Sequence, residues 1–148
     1  MSLSNIIDRL YEINRDIEGV ETAFRRPPMA LDTATLPAMM VVLDRWDVGN
    51  APSYARRVVH HLLLRVYGDP IGQEQDVAER QSRLEPFLER ILNAYDAAVK
   101  LNSHADILAG WQRISGVTLR VLPYAGTSYT VLEFALEIHE ETTVTVDD

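Results

Sequence analysis

Apolar positions in this chain change period twice, and the changes divide it into elements. Leu3, Ile6, Ile7, Leu10, Ile13, Asn14 and Ile17 recur at spacings of three and four among Asp8, Arg9, Glu12, Arg15, Asp16 and Glu18, which predicts an amphipathic helix. Gly19 follows at the place of a helix-terminating residue, so the helix is expected to end there. Val20–Arg25 reads as a short strand, and Arg26-Pro27-Pro28 begins a loop that runs to Pro37. Ala38–Leu43 is an unbroken apolar run too short for a helix, hence a buried strand, and Asp44–Ser53 is polar and rich in turn residues.

In Tyr54–Tyr67 the period is ambiguous. The strand reading gathers Val58, His60, Leu62, Leu64 and Val66 on one face and Arg57, His61 and Arg65 on the other, and it supplies a partner for the preceding apolar run. A turn follows at Gly68–Gly72, with Gln73–Gln81 read as loop or frayed helix. Ser82-Arg83-Leu84-Glu85 matches a capping box, so the second helix is expected to start at Ser82 and run to Leu101 along the stripe Leu84, Phe87, Leu88, Ile91, Leu92, Tyr95 and Val99. His104–Arg113 is a connection with a short helical turn that seats Trp111.

Strict alternation then returns in Val117–Val121 and Leu132–His139 around Tyr124-Ala125-Gly126-Thr127, the signature of a long hairpin with one oily face. The acidic, threonine-rich 140–148 forms a tail whose Val144 and Val146 also suit a short edge strand. The order helix, three strands, helix, two strands predicts an α+β domain: a mostly antiparallel sheet of four to five strands with the two main helices packed on one face. Strict βαβ alternation is missing, which argues against a Rossmann-like nucleotide site.

Composition narrows the chemistry. The 148 residues, 47% of them hydrophobic, match the size of one domain able to bury a core without staples, and the absence of cysteine excludes disulfides, thiolate nucleophiles and iron–sulfur clusters. A net charge of −8 opposes nucleic-acid binding. No apolar run approaches the roughly 20 residues that span a bilayer, and no signal peptide is recognisable, so the chain reads as soluble and made in the cytosol.

Candidate sites are few. His60 and His61 are neighbours, pointing to opposite faces of a strand, and no carboxylate at ligand spacing completes a metal shell, so their reading is structural. Glu133, Glu137 and His139 share a strand face and form an acidic face read as the solvated side of the sheet, with acid–base catalysis the lesser alternative. Arg25-Arg26, Arg56-Arg57 and Arg113 with Arg120 lack the interleaved aromatics of a nucleic-acid groove and serve to balance the acidic excess. Trp46 lies in a segment expected to be an exposed loop, where it folds back on the core or anchors an interface. Arg25, Arg26, Trp46, Arg56 and Trp111 are therefore the candidate interface residues. No catalytic residue, metal ligand or cofactor is expected.

As an order of elements across nearly the whole chain, the first helix, the strand Met39–Leu43, the turn-rich loop, Tyr54–Tyr67, the helix Ser82–Leu101 and the hairpin Val117–His139 resemble the tail terminator, or tail completion, proteins of long-tailed bacteriophages. The resemblance rests on element order, so it assigns no role to any single residue. It implies a subunit that assembles in the host cytoplasm into a homohexameric ring, caps the finished tail tube, and docks to the neck proteins of the head, with catalysis unnecessary. It also implies that DNA passes through the ring along a carboxylate-lined channel without specific binding, and that loops 25–37 and 44–53 reach a neighbour or the tube. The alternatives are another phage head–tail connector or neck protein, a non-viral cytosolic protein-binding module, and a small hydrolase or isomerase, which would need a pocket with convergent polar groups.

Overall fold

A computed structural model of the protein describes residues 3–51, 55–71, 77–97 and 111–143. The order is α1 (Leu3–Arg15), β1 (Thr22–Phe24), a 3₁₀ turn (Thr33–Thr35), β2 (Ala38–Ala51), β3 (Ala55–Pro70), α2 (Val77–Ala97), β4 (Trp111–Tyr124) and β5 (Thr127–Thr143). The strands form one sheet in the order β1-β2-β3-β5-β4, parallel between β1 and β2 and antiparallel elsewhere. The fold is α+β, with both helices on the same face.

That face carries the main core. Ile6, Leu10, Ile13 and Ile17 of α1 and its exit turn meet Leu84, Phe87, Ile91 and Tyr95 of α2 over Met39, Val41, Leu62, Leu64, Val66, Phe134, Leu136 and Ile138. The strand reading holds over 55–67, because the even-numbered residues pair with the even-numbered residues of β5 and bury together, while residue 54 lies outside the described residues. Asn14, which falls in the apolar stripe of α1, is buried because its Oδ1 accepts the Tyr95 hydroxyl at 2.6 Å. Gly19, at φ 92°, turns the chain out of the helical segment. A Cβ there would lie 2.7 Å from the Arg90 guanidinium, which donates to the Glu18 carbonyl.

Two bulges preserve the faces. The register slips at Asp44 in β2 and at Ser115 in β4. Without the first slip, Arg45 and Asp47 would turn toward the helices; with it, Trp46 and Val48 follow Leu43 onto that side and the charges turn away. The second keeps Ile114, Val117, Leu119 and Val121 on the helix side and sends Arg120 to the other. Each slip breaks the period in the sequence, which is why β2 is expected to stop at Leu43. Asp44–Ala51 is instead strand, paired with Ala55–His61.

The second helix also begins earlier than its capping signal. Ser82 lies inside α2, where its hydroxyl donates to the Ala78 carbonyl at 2.9 Å, and Pro86 is an interior residue. The buried positions Arg80, Leu84, Phe87, Ile91 and Tyr95 continue one helical face across the supposed cap, and packing on the sheet overrides the local signal. Its end beyond Ala97, the connection 98–110 and residues 144–148 of the expected tail lie outside the described residues, while 140–143, read as the start of that tail, continue β5 with Glu140 buried, and Trp111 opens β4 rather than a helical turn. The closing hairpin is as expected, with Ala125 at φ 50° and Gly126 at φ 86° forming its two-residue turn.

On the outer face, one end is closed by the loop 25–37. Met40, Tyr67, Tyr129 and Val131 are buried there beneath Leu31 and Leu36. Tyr67 meets Tyr124 and Tyr129 edge to face at 5.4 and 5.9 Å, and the Tyr124 hydroxyl donates to the Pro28 carbonyl.

Candidate functional site

Among the described residues, the sheet has two long open edges. β4 pairs on one side with β5 and has no described partner on the other. β1 covers β2 only at Ala38–Met40, so β2 is open from Val41 to Ala51. An exposed edge of this length invites another strand.

Both edges are apolar on the helix side. Beside β4 stand Val117, Leu119 and Val121, all exposed, with the exposed Leu88 of α2. A groove of about 280 Å³ between Leu84, Leu88, Leu119 and Leu132 runs beneath them. Beside β2 stand Leu43, Trp46 and Val48, the last 68% exposed. Next to them a groove of about 390 Å³ is walled by Leu3, Ile7, Val41 and Leu43, with Arg25 and Arg26 at its rim. The two patches differ in composition and occupy opposite edges of one sheet.

The middle of the outer face is a lattice of ion pairs. Glu133, expected to be solvated, is 6% exposed and accepts from Arg65 Nε at 2.7 Å, with Arg120 Nε at 3.5 Å. Glu137 accepts from Arg113 Nε at 2.7 Å, and that bond holds its carboxyl below the usual range. His61 Nε2 lies 2.7 Å from Asp47 and its Nδ1 3.9 Å from Glu137; His139 Nε2 lies 3.8 Å from the other Glu137 oxygen. Burial lowers the His139 pKa, against the pull of Glu137. The acidic face is thus a compensated one: flanking strands place arginines opposite each glutamate, which one strand read alone does not show. Among the described residues no group of three or more histidine or acidic side chains is placed to hold a metal.

His60 sits on the helix side, away from His61. The Trp46 indole N–H donates to its Nδ1 at 2.9 Å, while its Nε2 lies 2.8 Å from Glu140 Oε2. An indole nitrogen only donates, so Nδ1 must be the acceptor and the ring proton sits on Nε2, donated to Glu140. Trp46 is therefore held on a strand by a buried histidine and keeps 45% of its surface exposed.

The remaining candidates are dispersed. Arg25 pairs with Asp8 of α1, and Arg26 lies at the mouth of the β2-side groove. Arg56 is exposed on β3. The Trp111 side chain is outside the described set. Of the residues that define the edges, Val117, Leu119, Val121, Leu43 and Leu88 were legible as apolar positions, which pattern alone assigns to the core, while Val48 was read as part of the loop 44–53.

Among the described residues no helix is long and apolar enough to cross a membrane. The sequence matches no model of a known protein family, and no curated protein proves similar to it.

Proposed function

We propose that the protein is a structural subunit of a phage tail, a tail terminator that joins copies of itself head to tail into a ring, ends growth of the tail tube and connects it to the head. The observation that carries this reading is the pair of open, unlike, apolar edges on a single sheet. Unlike edges favour a heterologous contact, which closes into a ring when the rotation between neighbours permits.

Strand direction supports the same geometry. Three successive antiparallel pairings make β4 antiparallel to β2. Setting β4 of one copy beside the open part of β2 of the next continues the alternation across the boundary as one antiparallel sheet. That contact would bury Val117, Leu119 and Val121 of one copy near Leu43, Trp46 and Val48 of the next. The compensated outer face would then line the ring or face solvent, with its arginines and glutamates paired rather than presenting free carboxylates.

The function needs no chemical step. Ring closure on the last tube layer removes the surface on which another layer would add, and the opposite side of the ring meets the neck of the head. A hexamer, virion localisation and a tube partner come with this reading.

The test uses two blocked edges. Leu119→Arg should block the β4 edge and Val48→Arg the β2 edge, leaving each variant folded and monomeric in sedimentation. Mixed together, they should form a heterodimer through their two intact edges. No heterodimer, together with wild type that neither forms rings nor caps purified tail tubes, would sink the proposal.

A further inference from the structure

We infer that His60 is a proton-operated latch on Trp46, and that acid weakens the subunit contact by opening it; the second half rests on the ring reading above. The latch follows from donor and acceptor chemistry. Neutral His60 accepts the Trp46 indole N–H at Nδ1 and presents Nε2–H to Glu140. A second proton can enter only at Nδ1, where it would face the indole N–H, donor against donor. The imidazolium retains Glu140 as its counterion, so the contact that breaks is the one to Trp46.

The surroundings reinforce this outcome. Trp46 bridges the buried pair to solvent: His60 and Glu140 are buried, at 7% and 6% exposure, whereas nearly half of the indole surface is open, so the ring can reorient on the sheet surface once its hydrogen bond is lost. On this side of the sheet, β2 contributes Trp46 and the apolar Val48, β5 contributes Ile138 and Glu140, and β3 contributes Val58, Leu62 and, four residues from His60, the exposed Arg56. Asp47, His61, Glu137 and His139 lie on the opposite face. Gln112 of β4, beside Ile138, is uncharged and donates its side-chain amide to the Tyr95 carbonyl.

Trp46 stands in the middle of the apolar strip Leu43, Trp46, Val48 at the open edge of β2. Its indole orientation therefore shapes the surface offered to the next copy. Protonating His60 releases the indole and disorders that surface.

His60→Gln isolates the switch, because an amide offers one acceptor to Trp46 and one donor to Glu140 and does not titrate between pH 8 and 5. Trp46→Phe removes the donor and assigns the indole signal. In ¹⁵N-labelled wild type at a dilution that keeps it monomeric, the Trp46 indole signal should shift with the same midpoint as the His60 ring signals, and stay flat in His60→Gln. In sedimentation, wild-type self-association should weaken about fivefold per contact from pH 8 to 5, the equivalent of one ordinary hydrogen bond, and His60→Gln should stay constant. An indole signal that ignores the His60 titration overturns the latch. A latch that titrates while association falls equally in His60→Gln overturns its role at the contact. Wild type that fails to associate at any pH refutes the ring reading instead and leaves the nuclear magnetic resonance result to decide the latch.

Discussion

The two faces of the sheet are held by different physics. On the helix side, α1 and α2 cover a continuous apolar layer, from Ile6 and Leu10 to Phe134 and Ile138, whose attraction is non-directional and indifferent to modest salt. On the outer side, the tyrosine cluster closes one end and charge pairs organise the middle: Arg65 and Arg120 on Glu133, Arg113 on Glu137, His61 on Asp47. The first face gives the molecule its stability. The second tunes register and couples the fold to pH, because its contacts depend on which groups carry protons.

Deleting a side chain from each face should separate them most clearly. Phe134→Ala, at a fully buried position, should destabilise the fold by about 3–5 kcal/mol, measured by urea unfolding, and that loss should not change with salt. A salt-dependent or negligible loss would break the distinction.

Glu133→Gln comes next. It removes the charge that Arg65 and Arg120 share and leaves a half-buried guanidinium without its counterion, at about 2 kcal/mol, and the difference from wild type should shrink as salt rises. Tyr124→Phe should lose about 1 kcal/mol, reporting the hydroxyl bond to Pro28 that ties the loop 25–37 to the sheet, and should speed proteolysis within that loop.

The smallest effect is the pH dependence of the outer face. His139 has a folded pKa below its ordinary 6.5, so the unfolded chain takes up the proton more readily. Its contribution is complete above about pH 6.5 and is lost as pH falls through the folded pKa. Glu137 is depressed below 4.5 and contributes above that value, its share being lost at still lower pH. Both act in the same direction, so unfolding midpoints should fall in two stages on acidification. His139→Gln should shrink the first stage and leave the second. A midpoint that rises between pH 7 and 5 would contradict this sign.

Much of the fold was legible in the chain. The apolar period of α1, the alternation of β3 and β5, and the turn at Ala125-Gly126 specify their elements locally, because each pattern admits one buried face. The run 44–51 was not legible, since a bulge at Asp44 shifts the period by one residue and makes a strand look like a loop. Ser82 misled for a related reason: four residues can imitate a cap, but the helix start is decided by how much of its face the sheet can bury.

The candidate site shows the same division. The sequence placed Glu133, Glu137 and His139 on one strand face and Trp46 among residues suited to a contact, and it excluded cysteine chemistry outright. It could not pair Glu133 with Arg65, 68 positions away, or His60 with Glu140, 80 positions away, because such partners are chosen by strand order across the sheet. Nor could it separate a buried valine from an exposed one. Val131 and Val121 both occupy alternating apolar positions, yet Val131 lies in the central strand β5 under the loop 25–37 on the outer face and is buried, whereas Val121 stands on the helix side of the rim strand β4 and is open. Periodicity, a property of neighbours along the chain, determined which side a residue faces wherever no bulge shifted it. What lies on that side is a property of the packed whole, and the tertiary structure alone decided it.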